Sequence, residues 1–245
     1  MSARITLAVT VRVLTQLRRD RRTLALMLLG PCLLITLLWW IYLDAPVDMF
    51  DRVGPALLAL FPFTVMFLVT SVTTLRERSS GTLERLLAMP MGKLDLLAGY
   101  ALAFGLVAAA QSLLAVGVSV GLLDLEVTGP LWLLVVVAVA DAVLGSALGL
   151  FVSAFAQTEF QAVQFMPALI FPQMLLCGLL VPREQLPDFL EVVSDLLPLS
   201  YAVDAMQQLS RSASTGEVWF DLAVIAGFAV AVLGLGAATL RRRTA

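Results

Sequence analysis

Long apolar runs separated by short polar stretches set the pattern of this chain. Six runs reach the roughly 20 mostly apolar residues that a membrane-spanning helix needs. They cover residues 24–43, 53–75, 96–123, 131–155, 162–181 and 218–240. None alternates apolar and polar residues with a period of two, so the pattern predicts helices rather than barrel strands. The third run is long enough to tilt or to pass the interface. The first is too long for a signal-peptide core, and no A-x-A-like cleavage site follows it, so it is read as a retained membrane helix. Residues 1–23 precede it as a different kind of element. Ile5, Val9, Val13 and Leu17 recur every four positions, while Arg4, Arg12, Arg18 and Arg19 supply a basic face. That spacing predicts an interfacial helix, read most simply as an anchor to anionic lipid headgroups.

Composition sharpens the picture. Of 245 residues, 60% are hydrophobic and only 14% charged, against about 25% charged in a soluble domain. The fold class expected is an all-α integral membrane protein, a single transmembrane domain over residues 1–245. The chain has no histidine, which removes Ser-His and Cys-His nucleophile pairs and His-ligated metal or haem sites. Cys32 and Cys177 both lie in apolar runs and are read as small buried hydrophobes.

Charge placement then orients the spans. With the N-terminus inside, thirteen of the sixteen Lys and Arg residues fall on the cytoplasmic side and only Arg52, Arg183 and Arg211 face out. The positive-inside rule selects that orientation, with both termini cytoplasmic. Trp39, Trp40 and Tyr42, then Trp132 and Trp219, mark outer span ends as interfacial aromatics do.

Two polar segments carry most of the information. Residues 76–95 read RERSSGTLERLLAMPMGKLD on the cytoplasmic side. Ser79, Ser80 and Gly81 break the descending helix, and Pro90 stops a short amphipathic helix with Leu83, Leu86 and Leu87 on one face. Two turns are too few for stability alone in water, so this helix must lie on lipid, on its own bundle or in a partner's groove. On the opposite side, residues 182–217 begin with pieces bounded by Pro182, Pro187 and Pro198. There Phe189, Val192, Val193 and Leu196 form an apolar stripe opposite Asp188, Glu191 and Asp195. Short helices that dip back toward the bilayer fit this pattern.

The run Glu77-x-x-x-Gly81-Thr82-Leu83-Glu84, followed by Leu86, Leu87 and Pro90, resembles the cytoplasmic coupling segment of type-2 ABC exporter permeases. Gly178-Leu-Leu-Val-Pro182, Leu186-Pro187 and Leu197-Pro-Leu-Ser-Tyr201 resemble that family's external region. Leu197 and Ser200 stand where the family usually carries Asn and Thr. The resemblance spans the chain in span number, orientation and motif order, and is nearest to the drug- and antibiotic-exporting branch. It implies six spans, a coupling helix that docks on a separate ATPase subunit, and an external re-entrant hairpin that includes Tyr201. It also implies a second permease, identical or homologous, in a bacterial inner membrane. No cofactor is expected on this chain; ATP and magnesium belong to the ATPase partner. Gly92-Lys93 has Leu87 where a P-loop needs glycine and Leu94 after the lysine, so no nucleotide loop is present.

Within the spans, Asp141 sits near the middle of the fourth. Its insertion cost of about 2.5–3.5 kcal/mol is met by a flanking apolar run at roughly 0.3–0.6 per residue, so the span still inserts. Such a carboxylate faces a cavity or a partner, with Gln111, Ser112 and Gln173 as candidate neighbours. Its role is open between a structural hydrogen bond and contact with substrate or ion. Pro167 and Pro172 predict a kinked fifth span that moves or lines the pathway. Gly117-x-x-x-Gly121 and Gly145-x-x-x-Gly149 read as packing seams. The implied cargo is hydrophobic or amphipathic: a drug, an antibiotic or a lipid-like molecule. A gradient-driven secondary transporter is the competing reading, but it wants inverted repeats and broken helices around an ion site, and the sequence shows no convincing internal repeat and a single mid-span carboxylate. Nothing in the sequence points to nucleic acid.

Overall fold

The computed structural model of the chain describes residues 2–43, 49–82 and 92–239, and all regular structure among them is helical. In chain order the helices are α1 (Ala3–Arg19), α2 (Arg21–Tyr42), α3 (Met49–Ser79), α4 (Lys93–Gly121) and α5 (Leu131–Val152). Then follow α6 (Glu159–Leu176), a 3-10 turn at Arg183–Gln185, α7 (Asp188–Asp195), α8 (Pro198–Arg211) and α9 (Gly216–Thr239). Among the described residues five helices, α2, α3, α4, α5 and α9, are long and apolar enough to cross a membrane.

The run expected as a fifth span differs. It forms the 18-residue α6, which starts three residues early and stops at Leu176. Gly178, with φ of +86°, ends it: that left-handed backbone costs a side-chain-bearing residue strain that glycine avoids. With Gln161, Gln164 and Gln173 within it, α6 is not among the five.

Helix α3 is the centre, and it packs most extensively on α5. The reason lies in two glycines one turn apart. A Cβ on Gly145 would run into the Phe63 carbonyl oxygen, and one on Gly149 would sit 2.5 Å from that of Phe67. Only hydrogen fits at either place, so the two backbones approach closely, as small-residue seams allow in lipid. The second glycine pair differs: a Cβ at Gly117 or Gly121 would meet nothing within 4 Å. One of the two expected seams is therefore an internal contact, and the other faces open space.

Two apolar clusters flank this axis. The larger joins Leu58, Phe63 and Phe67 of α3 to Leu133, Leu134 and the inward face of α8. The smaller joins Val9, Val13 and Leu17 of α1 to Leu96, Tyr100 and Phe104 of α4. The predicted stripe of α1 thus packs on the protein's own bundle rather than on lipid, while Leu7 and Val11 stay exposed. Ile5, the fourth residue of that stripe, is only half-buried.

The joint between α1 and α2 is a single residue, Asp20. Its carboxylate caps α2, accepting from the Thr23 backbone N–H at 3.1 Å and the Thr23 hydroxyl at 2.6 Å. The hydroxyl bond, more than any other contact, holds the Asp20 carboxyl below its ordinary value. Asp20→Ala is expected to lower unfolding stability in detergent by about 1 kcal/mol, the usual worth of an N-cap. A depressed carboxylate stabilises above its unfolded pKa and loses that benefit as the pH falls through its folded value. The deficit of Asp20→Ala should therefore shrink in acid, as thermal melts across pH would show.

Candidate functional site

The charged groups gather at the two ends of the bundle. At one end, α1 lies beside the last turns of α3 and the first turns of α4. The Ser2 backbone N–H donates to Asp95 at 2.8 Å, and Gly92 N–H donates to the same carboxylate at 3.2 Å, which ties the start of α4 to the start of α1. Glu77, 3% exposed, forms an ion pair with Arg12 at 3.3 Å and accepts a hydrogen bond from the Tyr100 hydroxyl. One carboxylate therefore joins α1, α3 and α4. Nearby, the Arg76 guanidinium donates twice to Glu159 at the start of α6, at 2.8 and 3.0 Å.

The described members of the predicted coupling set, Glu77, Gly81 and Thr82, lie at this end. Glu77 faces inward and anchors the helix before the break. Gly81 follows with φ of +71°, where the chain turns, and Thr82 accepts or donates across 2.9 Å with Ser80. Leu83, Glu84, Leu86, Leu87 and Pro90 lie outside the described residues.

In the interior, Asp141 is fully buried, and neither of its carboxylate oxygens has a hydrogen-bond partner among the described residues. The expected neighbours are engaged elsewhere. Gln111 donates to the Met27 carbonyl at 2.6 Å, and Ser112 donates to the Ala138 carbonyl at 3.0 Å. Gln173, just after Pro172, donates to the Leu169 carbonyl and accepts from Leu199 N–H at 3.3 Å, so it ties α6 to the first turn of α8. Pro167 and Pro172 both lie inside α6. Cys32 and Cys177 are buried and unbonded to each other.

The opposite end is acidic. Its three prolines start elements: Pro182 precedes the 3-10 turn, Pro187 precedes α7 and Pro198 opens α8, where a missing N–H costs nothing. The apolar stripe of α7 points outward, with Phe189 76% exposed. Arg183 pairs with both Asp195 and Asp204, and its guanidinium lies 5.5 Å from the centre of the Tyr201 ring. The Tyr201 hydroxyl donates to the Asp195 carbonyl at 2.9 Å. Burial pushes the Asp204 carboxyl above its ordinary value despite the opposing pull of Arg183. Trp132 and Trp219, 6.1 Å apart, place the starts of α5 and α9 at this same end. Arg52, Arg183 and Arg211 all line one cleft here, whereas Arg12 and Arg76 sit at the other.

The sequence motifs did not single out Arg12, Tyr100 or Arg183 as site residues, whereas Asp204 falls in Val203-Asp204-Ala205, which also resembles the family's external region. A signal existed for Arg183, the one cation among Glu184, Asp188, Glu191 and Asp195. None existed for Arg12 and Tyr100, which meet Glu77 only through packing.

Residues 5–209 match the family of the ABC-2 type transporter. The chain belongs to that family. It is accordingly an ABC-2 type membrane domain, multi-pass by the five candidate spans among its described residues. Similar proteins include the ABC transporter G family member 20 of Dictyostelium discoideum, 24% identical over 196 residues, covering 79% of this chain and 27% of that protein. The probable multidrug ABC transporter permease YbhR of Escherichia coli (strain K12) is 28% identical over 171 residues, covering 69% and 46%. The inner membrane transport permease YhhJ of the same strain is 27% identical over 153 residues, covering 62% and 41%. The chain thus spans less than half the length of each of these ABC-2 relatives.

Proposed function

We propose that this chain is the membrane-spanning subunit of an ATP-driven exporter, moving a hydrophobic or amphipathic substrate such as a drug, an antibiotic or a lipid-like molecule. The observation that carries the reading is the family match over residues 5–209. The multidrug naming of the relative YbhR supports the substrate class. The basic end is then cytoplasmic, both termini with it, and the membrane is a bacterial inner membrane. Helix α6 serves as the sixth crossing, shortened by Gly178, with α7 and α8 as an external re-entrant hairpin.

In this reading the 76–95 segment docks on a separate ATPase subunit, which supplies ATP and magnesium, and a second permease completes the path. Closure of the ATPase pair pushes on the segment that follows Glu77. Because Glu77 joins α1, α3 and α4, the push reaches three helices at once and tilts them as a unit. The gradient-driven alternative rests on Asp141 alone, the one fully buried carboxylate without a partner among the described residues.

The test is gentle extraction of the tagged protein from its own host, followed by mass spectrometry of what co-purifies in near-equal amount. An ATP-binding subunit is the expected companion. Leu86→Asp should release it, because a carboxylate forced into an apolar groove costs roughly 2 kcal/mol or more, beyond tenfold in affinity. Glu84→Lys should keep insertion intact and uncouple hydrolysis from transport. Recovery of the permease alone, or normal transport by both variants, would sink the reading.

A further inference from the structure

Between the start of α3, the stretch after α6, α8 and the first turns of α9 lies a cleft of about 750 Å³, within the roughly 300–1,000 Å³ of small-molecule sites. Arg183 on its wall is held by Asp195 and Asp204, while Arg52 and Arg211 line it without an ion pair among the described residues. Against these three cations stand five carboxylates, Glu184, Glu191, Asp204, Glu217 and Asp221. Asp221 on the cleft wall is only 7% exposed, and its Oδ2 accepts no hydrogen bond among the described residues. Glu184 and Glu191 on the rim form no ion pair among those residues, while Glu217 accepts only from the Gln208 amide, at 2.5 Å. A buried carboxylate oxygen left unpaired is costly, so a donor arriving through the cleft would relieve it.

Aromatic rings stand beside this charge. Phe220, 66% exposed, meets Tyr201 edge-on at 6.4 Å, and Leu179 and Leu180 extend the apolar wall. Tyr201 already carries the Arg183 cation near its ring, the attraction that an aromatic face offers an incoming positive charge. A metal ion suits the wall poorly, since no three acidic or cysteine side chains come together among the described residues.

We infer that this cleft binds an amphipathic organic cation, with its charge against Asp221 and its apolar body against Phe220 and Leu179. It deepens the export reading by naming a ligand class at the acidic end, and it rests on that reading only for the direction of movement.

Binding can be measured without any ATPase, which separates this test from the coupling test. The purified permease in phosphatidylcholine nanodiscs is titrated with radiolabelled tetraphenylphosphonium. Wild type should bind saturably, and neutral triphenylphosphine oxide should not compete. Asp221→Asn should weaken binding roughly tenfold, as loss of one charge-assisted contact does. Asp124→Asn, at an exposed acid outside the cleft, should leave it unchanged. Phe220→Ala, which removes an exposed ring and spares the fold, should weaken binding several-fold and carries the test if Asp221→Asn does not purify as a single species. Absence of saturable binding by wild type, or wild-type affinity in Phe220→Ala or a well-folded Asp221→Asn, would overturn the assignment.

Discussion

Gly145→Leu is expected to leave no folded permease to assay. The glycine lies on α5 where the Phe63 carbonyl of α3 occupies the space a Cβ would need. The obstructing atom is backbone, so no rotamer change can make room. One turn on, Gly149 meets the Phe67 carbonyl and the Ser71 N–H in the same way, at 2.5 and 3.1 Å. A leucine at 145 therefore has to separate α3 from α5, the most extensive contact in the bundle. Overpacking costs about 1–3 kcal/mol when side chains can yield, and more when they cannot. Stabilities are commonly about 5–15 kcal/mol in total, so a loss above about 3 should bring misassembly. Size-exclusion profiles in detergent are expected to show aggregate or no protein. Gly117→Leu, where a Cβ meets nothing within 4 Å, should elute as wild type does. Equal behaviour of the two variants would remove the argument for the α3–α5 seam.

The second large effect is expected at Glu77. Its carboxylate is nearly enclosed and is the acceptor for both Arg12 and the Tyr100 hydroxyl. Breaking a buried ion pair by removing one partner costs about 3–5 kcal/mol. Arg12 keeps 31% of its side chain exposed and can turn to water, so Glu77→Ala should fall near the lower bound, about 3 kcal/mol. The loss should be local in character. Hydrogen exchange is expected to rise along α1, residues 3–19, and to stay slow in α5. Transport should drop in parallel, because α1 no longer moves with α3 and α4. The double variant Arg12→Met with Glu77→Met separates the two consequences. Apolar replacement of a buried pair is often neutral for stability, so this protein should regain its melting temperature. If Glu77→Ala melts as wild type does, the carboxylate is not what fastens α1 to the bundle.

These two sites differ in how far the sequence announced them. The Gly145 and Gly149 pair was visible as a four-residue spacing in an apolar run, but so was the pair at 117 and 121. Spacing fixes only that two glycines share a helix face. Which face meets another helix depends on the rotation of α4 and α5 within the bundle, and that is set by all their neighbours together. Glu77 stood out as the first residue of a motif that pointed toward a partner. In the structure it turns inward, because Arg12 from 65 positions upstream and Tyr100 from 23 downstream converge on it. No local pattern encodes a meeting of that kind.

The acidic end makes the same distinction. Pro182, Pro187 and Pro198 mark where elements start, since proline fixes its own φ and lacks a donor wherever it occurs. The Arg183 pairing with Asp195 and Asp204 required the turn at Gly178 to bring the stretch after α6 back over α8. Similarly, Gln173 was expected near Asp141 as one polar group beside another. Its amide is instead used on the start of α8, which leaves Asp141 without a partner among the described residues.

What the sequence determined by itself follows from short-range physics. Hydrophobic length made membrane helices, the placement of arginines divided the chain into a basic and an acidic side, and Gly and Pro set the ends of elements. Each of these acts through a residue and its immediate neighbours or through the bilayer, a solvent that reads every segment alike. The tertiary structure decided helix rotation, the inward turn of Glu77 and the cleft around Asp221. Those depend on which surfaces pack, and packing is a property of pairs far apart in sequence that no single segment carries.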